Sequence, residues 1–188
     1  NIALILKFMA SYFFRSTDYP DVEQQSQAQN DDFLFNQGPT RGLGKIRFHD
    51  YSKVYKTVQL PNVKIFKQQI RLLKTLLMLA KPDKSQRKDI DFLMALGELF
   101  TLVVYGQLVL ENAKIYAVDD DTIDQIFDFM VRDFSSHALQ LYSKSSATMS
   151  QMRLCSMMIK KPTVDRTRFD RVWSDQIFPL KDRYVMKP

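Results

Sequence analysis

The stretch 91–111, which reads DFLMALGELFTLVVYGQLVLE, decides the fold because its apolar residues do not keep to one helical face. A helix that is apolar nearly all round is covered by other helices or by a membrane. The run approaches the length of a membrane span. However, Glu98, Thr101 and Gln107 interrupt it, and its flanks lack the Lys/Arg asymmetry that accompanies a span. We therefore expect the central helix of a bundle, and no membrane span.

The composition of the chain favours helices over sheets. The 188 residues are 45% hydrophobic and include only 5 Gly and 7 Pro, which is little turn chemistry for a sandwich or a barrel. Pro61 suits the start of an amphipathic run that ends at Pro82, and Asp83 or Ser85 can cap the next helix. With further amphipathic runs near 119–142, 149–160 and 165–177, the sequence predicts an all-α bundle of about five to six helices.

Helical spacing predicts which side chains of two later runs share a face. In the run 119–142, apolar residues face inward, and Asp121, Asp124 and Asp128 lie on the opposite face. In the run 165–177, Phe169, Val172 and Trp173 fall together. Residues 119–121 are three aspartates at the start of the first run, and they are expected to cap this helix.

We predict three segments along the chain. Residues 1–17 form an N-terminal helix, because the apolar start lacks the basic leader and cleavage site of a signal peptide. Residues 18–35 form a polar linker, and because residues 18–32 carry almost nothing that could be buried, it is expected to be a solvated loop or disordered. Residues 36–188 form the bundle, beginning with an irregular loop that contains Gly38, Gly42 and Gly44. A chain that starts at Asn1 is expected to be a fragment or a processed product.

Charge is unevenly distributed. Residues 45–88 hold twelve lysines and arginines against two aspartates, whereas 89–133 is acidic and the whole chain is +6. Lys64, Lys67, Arg71 and Lys74 form a basic stripe that could bind phosphates of nucleic acid or of a coenzyme. The alternative is a solvated helix face, or one paired with the acidic face around Asp124 and Asp128.

The other motifs favour ordinary structural roles. The glycine loop lacks both nucleotide-binding spacings, so Arg41 is interpreted either as an anion anchor in a partner loop or as part of a loop shaped by packing. His49 and His137 belong to no metal-ligand cluster, and no metal is expected. Cys155, the single cysteine, lies in an apolar pattern that predicts a buried thiol in a reduced, cytoplasmic setting.

Glu98 is the residue with the most open interpretation, since it lies within a mostly apolar run. It could face a ligand channel or a subunit interface. Alternatively, it could pair with an Arg or a Lys of another helix, because structural ion pairs also perturb carboxylates.

Several long segments resemble one family. Residues 36–50 (NQGPTRGLGKIRFHD), 95–107 (ALGELFTLVVYGQ), 131–135 (VRDFS) and 168–173 (RFDRVW) are similar to the C-terminal part of large bacterial acyl-CoA dehydrogenase-like proteins. The likeness covers residues 30–188. The resemblance rests on the amino-acid sequence of long segments and not on a short catalytic motif.

The resemblance implies a function for the parent protein. In this family FAD and an acyl-CoA thioester are held between helical domains and a β domain, a carboxylate removes the α proton, and hydride passes to the flavin. The chain is too short to include the β domain and resembles a helical region that follows the catalytic unit. No catalytic residue and no FAD-binding residue can be matched, so the chain alone is expected to be inactive and without cofactor.

The expected partners follow from the same resemblance. They are the remainder of the parent flavoenzyme, a second copy in a homo-oligomer, and acyl-CoA in a ligand channel. The candidate contact residues are Arg41, Lys45, Arg47, Glu98 and Gln107. The alternative is a regulatory or interaction module that binds a protein or, less favoured, a nucleic acid through its basic stripe. A third possibility is a lipid-binding helical protein.

Overall fold

A computed structural model describes residues 4–16, 48–181 and 183, and every regular element in this part of the chain is a helix. The α-helices are α1 (Ile5–Phe14), α2 (Ser52–Thr57), α3 (Pro61–Leu79), α4 (Ile90–Tyr116), α5 (Asp120–Tyr142), α6 (Met149–Met158) and α7 (Arg166–Val172). A π-helical turn, Trp173–Ile177, and a short 3-10 turn, Phe178–Leu180, follow α7. The all-α bundle is confirmed, with the six-residue α2 as the helix that the sequence did not predict. The predicted linker and glycine loop lie outside the described residues.

Helix boundaries follow from proline and capping aspartates. Pro61 occupies the first turn of α3, where its missing N–H costs nothing. The capping prediction for α4 was wrong, because Asp83 and Ser85 lie in the preceding loop and Asp89 accepts the Phe92 N–H at 3.0 Å. That hydrogen bond is the main reason why the pKa of Asp89 lies below its usual value. The prediction for α5 is confirmed, since Asp119 accepts the Thr122 N–H at 2.9 Å.

The centre of the bundle is α5 and not α4. Helix α5 packs against α3, α4, α6 and α7, whereas α4 packs against α5, α2 and α1 and leaves one face uncovered by the described residues. The expectation of an enclosed α4 is therefore wrong for that face. Because the run is apolar all round, its sequence does not indicate which face of the helix is exposed.

Helix α4 is also the one helix in the described residues that is long and apolar enough to cross a membrane. Its mean hydropathy over the best window is 1.8, and 44% of that window is buried within the protein. This test concerns length and composition only, and buried core helices pass it too.

An aromatic cluster fixes α1 on the bundle. The Tyr12 ring stacks on Tyr51 at 5.0 Å between centroids and meets Phe100 of α4 edge-on at 5.3 Å. Phe13 packs edge-on against Tyr51 at 5.4 Å. Such pairs add to the burial of large apolar surfaces, so α1 is held at a defined position.

Buried amide side chains join the remaining helices. Gln86 and Gln151 exchange hydrogen bonds at 2.8 and 3.0 Å, which ties the loop before α4 to α6. Gln69 of α3 donates to the carbonyl oxygens of Val131 in α5 and Met158 at the end of α6. These contacts satisfy amide donors that would be costly to bury unpaired, whereas the Gln69 Oε1 is buried without a hydrogen-bond partner among the described residues.

Gly106 marks the closest approach to α4. A Cβ at this position would lie 2.4 Å from the Tyr55 hydroxyl oxygen and 3.1 Å from both Met130 Cε and Phe66 Cε1. The Tyr55 hydroxyl meanwhile donates to the Val103 carbonyl at 2.8 Å. The missing side chain therefore makes room for a buried tyrosine from α2.

We predict that Gly106→Ala destabilises the protein by about 1–3 kcal/mol, because the methyl group displaces three packed side chains. Gly97→Ala is the matched control. Its Cβ would meet only the flexible end of Ile5 at 3.0 Å, and alanine gains up to about 1 kcal/mol of helix propensity. Urea unfolding of both variants measures the difference, and equal effects would contradict the packing argument.

Candidate functional site

The predicted contact residues do not form one site. Arg41, Lys45 and Arg47 lie outside the described residues. Glu98 is exposed on α4 and has no ion pair among the described residues, so the interpretation that pairs it with a cation of another helix is wrong there. Its carboxylate faces solvent and needs no compensating charge.

Gln107 points into the core on the other side of α4. Its side-chain oxygen accepts from the Tyr12 hydroxyl at 2.6 Å, and its amide donates to Glu111 at 2.7 Å. Burial raises the pKa of Tyr12, which keeps the hydroxyl protonated as a donor. The hydrogen bond from Tyr12 joins α1 to α4, so Gln107 has a structural role in the described fold.

One exposed stripe along the middle of α4, which we call the outer face, contains Met94, Glu98, Thr101, Tyr105 and Leu108. Met94, Tyr105 and Leu108 are 46%, 56% and 49% exposed. Their alternating spacing of four and three residues is the spacing with which helices pair side by side.

A buried ionic cluster joins α5 to α7. The Arg168 guanidinium bonds Asp124 and lies 3.4 Å from a carboxylate oxygen of Asp128, with all three side chains at most 4% exposed. Asp124 also accepts the Asn62 backbone N–H at 2.8 Å. Asp128 is further paired with Arg132 at 2.7 Å.

The cluster binds α3, α5 and the segment before α7 together. Asn62 exchanges hydrogen bonds with the Thr163 backbone at 2.7 and 3.1 Å, and Arg168 donates to the same Thr163 carbonyl at 3.3 Å. Burial raises the pKa of Asp124, while the Asn62 N–H and the Arg168 charge oppose that rise. The arrangement satisfies its charges internally.

One prediction of a helix face is wrong here. Asp124 and Asp128 were expected on an outward face but are buried, because Arg168 compensates them. Phe169 and Trp173 are 47% and 51% exposed, while Arg168 and Val172 turn inward. Sequence reasoning missed Arg168. The sequence did contain a signal of buried acids, because Asp124 and Asp128 are four residues apart and each directly follows an inward apolar residue, Ile123 and Phe127.

The basic stripe is partly used by the fold. Lys67 donates to the carbonyl oxygens of Tyr55 and Val58 at 3.0 and 2.9 Å, closing the end of α2. Lys74 lies over the Phe14 ring at 5.4 Å. Lys64 and Arg71 remain exposed. The acidic cluster takes its cations from Arg132 and Arg168 rather than from this stripe.

The described part of the chain contains neither a cluster of metal ligands nor an accessible thiol. No group of three or more His, Cys, Asp and Glu side chains there could hold a metal ion. Cys155 is fully buried, and burial raises the pKa of its thiol to about 12, which leaves little nucleophilic thiolate at neutral pH. The prediction of a buried thiol is confirmed.

Comparisons with models of protein families, with curated proteins and with solved structures find no match to this chain.

We predict that Arg168→Met lowers stability at neutral pH by about 3–5 kcal/mol, because it leaves two buried carboxylates without their cation. The control is Arg171→Gln, which removes an exposed pair with Asp121 and should cost at most about 1 kcal/mol. Urea unfolding of both variants measures the difference.

The same Arg168→Met variant should have a smaller deficit near pH 4 than near pH 7. Without Arg168 the folded pKa of Asp124 lies further above its unfolded value of about 3.9, so this group favours folding when protonated and opposes it as the pH rises. A deficit that grows on acidification would contradict the role of the cluster.

Proposed function

We propose that the chain is a non-catalytic helical domain that joins a larger assembly through the outer face of α4. Its proposed partner is the remainder of an acyl-CoA dehydrogenase-like flavoenzyme, which oxidises acyl-CoA thioesters at their α,β carbons. The exposed apolar stripe on the longest helix is the observation that carries the proposal.

The chemistry of the outer face supports assembly rather than catalysis. Tyr105 and Leu108 offer large apolar contacts near the middle of α4, and aromatic anchors contribute much of the energy at protein interfaces. Glu98 and Thr101 interrupt the stripe with polar groups that can set the register of a partner helix. None of these side chains is engaged in a buried network of the described fold.

The partner class rests on the family resemblance. The segment 95–107 supplies Glu98, Thr101 and Tyr105 of the outer face, and the segment 168–173 supplies Arg168 and the exposed Phe169 and Trp173. The segments on which the proposed resemblance rests therefore include both exposed residues and residues of the ionic cluster. FAD belongs to the proposed parent enzyme, and no residue of this chain is assigned to it.

The complete reading frame tests the proposal. We expect it to encode flavin-binding domains, and the whole protein to oxidise acyl-CoA with an electron acceptor while the 188-residue chain does not. Tyr105→Glu combined with Leu108→Glu should weaken assembly of the whole protein, since two buried charges would replace apolar contacts. Analytical ultracentrifugation measures assembly.

Leu139→Glu is the matched control for that experiment, because Leu139 is 54% exposed on α5 and outside the outer face. Unchanged assembly of the double variant would reject the outer face as the contact. Activity of the isolated chain would reject the non-catalytic role, and a frame without flavin-binding domains would reject the flavoenzyme assignment.

A second candidate function is binding of an acidic or nucleic-acid partner through basic residues. It is favoured by the exposed cations Lys64 and Arg71 on α3 and by those of the following loop, Lys81, Lys84, Arg87 and Lys88. Charge alone does not specify a nucleic acid, and two members of the predicted stripe already serve the fold.

Titration with duplex DNA tests the second candidate. It predicts binding that weakens steeply between about 50 and 200 mM salt and that Lys64→Gln with Arg71→Gln reduces. Lys160→Gln with Lys161→Gln, which removes two cations from another part of the chain, is the control. Fluorescence anisotropy measures the affinity. Absence of salt-sensitive binding would remove the nucleic-acid version.

A further inference from the structure

A groove with an apolar floor and a basic rim lies between α1, the end of α3 and the loop that follows it. It encloses a volume of about 380 Å³. Met9, Leu77 and Pro82 contribute to its floor, and Lys7, Lys81 and Arg87 contribute cations. A volume of this size is at the lower end of the range found for small-molecule sites.

The walls of the groove are fixed by contacts already present in the fold. The aromatic cluster around Tyr12 holds α1. On the other wall, Asp83 Oδ1 accepts the backbone N–H groups of Ser85 and Gln86 at 2.7 and 2.9 Å. The Arg87 Nε donates to the Pro82 carbonyl at 3.0 Å, which leaves the guanidinium terminus beside the groove. The groove is therefore preformed.

The charge of the lining is one-sided. The described lining residues include three cations and no carboxylate. No ion pair among the described residues engages Lys7 or Lys81, and both side chains are exposed. Three cations around an apolar floor complement a ligand that joins a hydrophobic part to a negative group.

We propose that this groove binds a small amphipathic anion, namely a single apolar chain that ends in a carboxylate or a phosphate. The apolar chain lies along Leu6, Ala10 and Phe14 of α1 above the floor, and the anionic group is held by Lys7, Lys81 and Arg87. The basic rim selects against neutral and cationic amphiphiles. This binding is independent of the assembly role proposed for α4.

Isothermal titration of the full chain with four soluble eight-carbon probes tests the site. Octanoate and octyl phosphate carry the anion, whereas octan-1-ol and octylammonium match the chain without it. Each probe is used below the concentration at which it forms micelles. At least one anion should bind with one-to-one stoichiometry, and comparison of the two shows whether the site takes a carboxylate or a phosphate.

Variants locate the binding. Lys7→Gln with Lys81→Gln should lower the affinity for the anion by about tenfold or more, which corresponds to about 1.4 kcal/mol of binding free energy. Ala10→Trp places an indole at an exposed lining position and should abolish binding by filling the groove. The control, Lys84→Gln with Lys88→Gln, removes two exposed cations of the same loop that do not line the groove and should leave affinity unchanged. Thermal unfolding confirms that each variant is folded.

Several results would overturn the proposal. These are equal binding of octan-1-ol or octylammonium, affinity that the groove variants do not change, or equal weakening by the control variant. Binding to vesicles of anionic phospholipid without binding of either soluble anion would assign the basic residues to a membrane surface instead. Absence of binding by all four probes would also reject the site.

Discussion

The buried pairing of Arg168 with Asp124 and Asp128 is the constraint on which the bundle depends. Removing these charges from water is expensive, and their attraction offsets that cost only while the geometry and the surrounding hydrogen bonds are kept. Asn62 supplies those bonds from α3, and Thr163 supplies them from the segment before α7. The cluster therefore joins α3, α5 and the segment before α7 through polar contacts, in addition to their apolar packing.

Local signals predicted the elements well, whereas tertiary partners had to come from the structure. Pro61 and Asp119 mark helix starts through backbone chemistry that acts within one turn. Asp124 and Asp128 were placed outward because acids usually are, and the arginine that reverses this lies 44 residues away from Asp124. Periodicity contains no information about so distant a partner.

The candidate site was predicted still less completely. Glu98 and Gln107 are the two polar interruptions of one apolar run, yet they lie on different sides of α4 and have different surroundings. Once Gln107 and the ionic cluster are accounted for by internal bonds, the functional features that remain in the described residues are surfaces. They include the outer face of α4 and the groove beside α1.

The location of Arg168 late in the chain also bears on biosynthesis. Helix α5 leaves the ribosome before Arg168 does, so Asp124 emerges without the cation that permits its burial, whereas Asp128 already has Arg132 beside it. Burial of Asp124 during that interval would leave its carboxylate without its cation, which is costly. Translation pauses between α5 and α7 would lengthen this interval and leave apolar side chains of α5 accessible to chaperones.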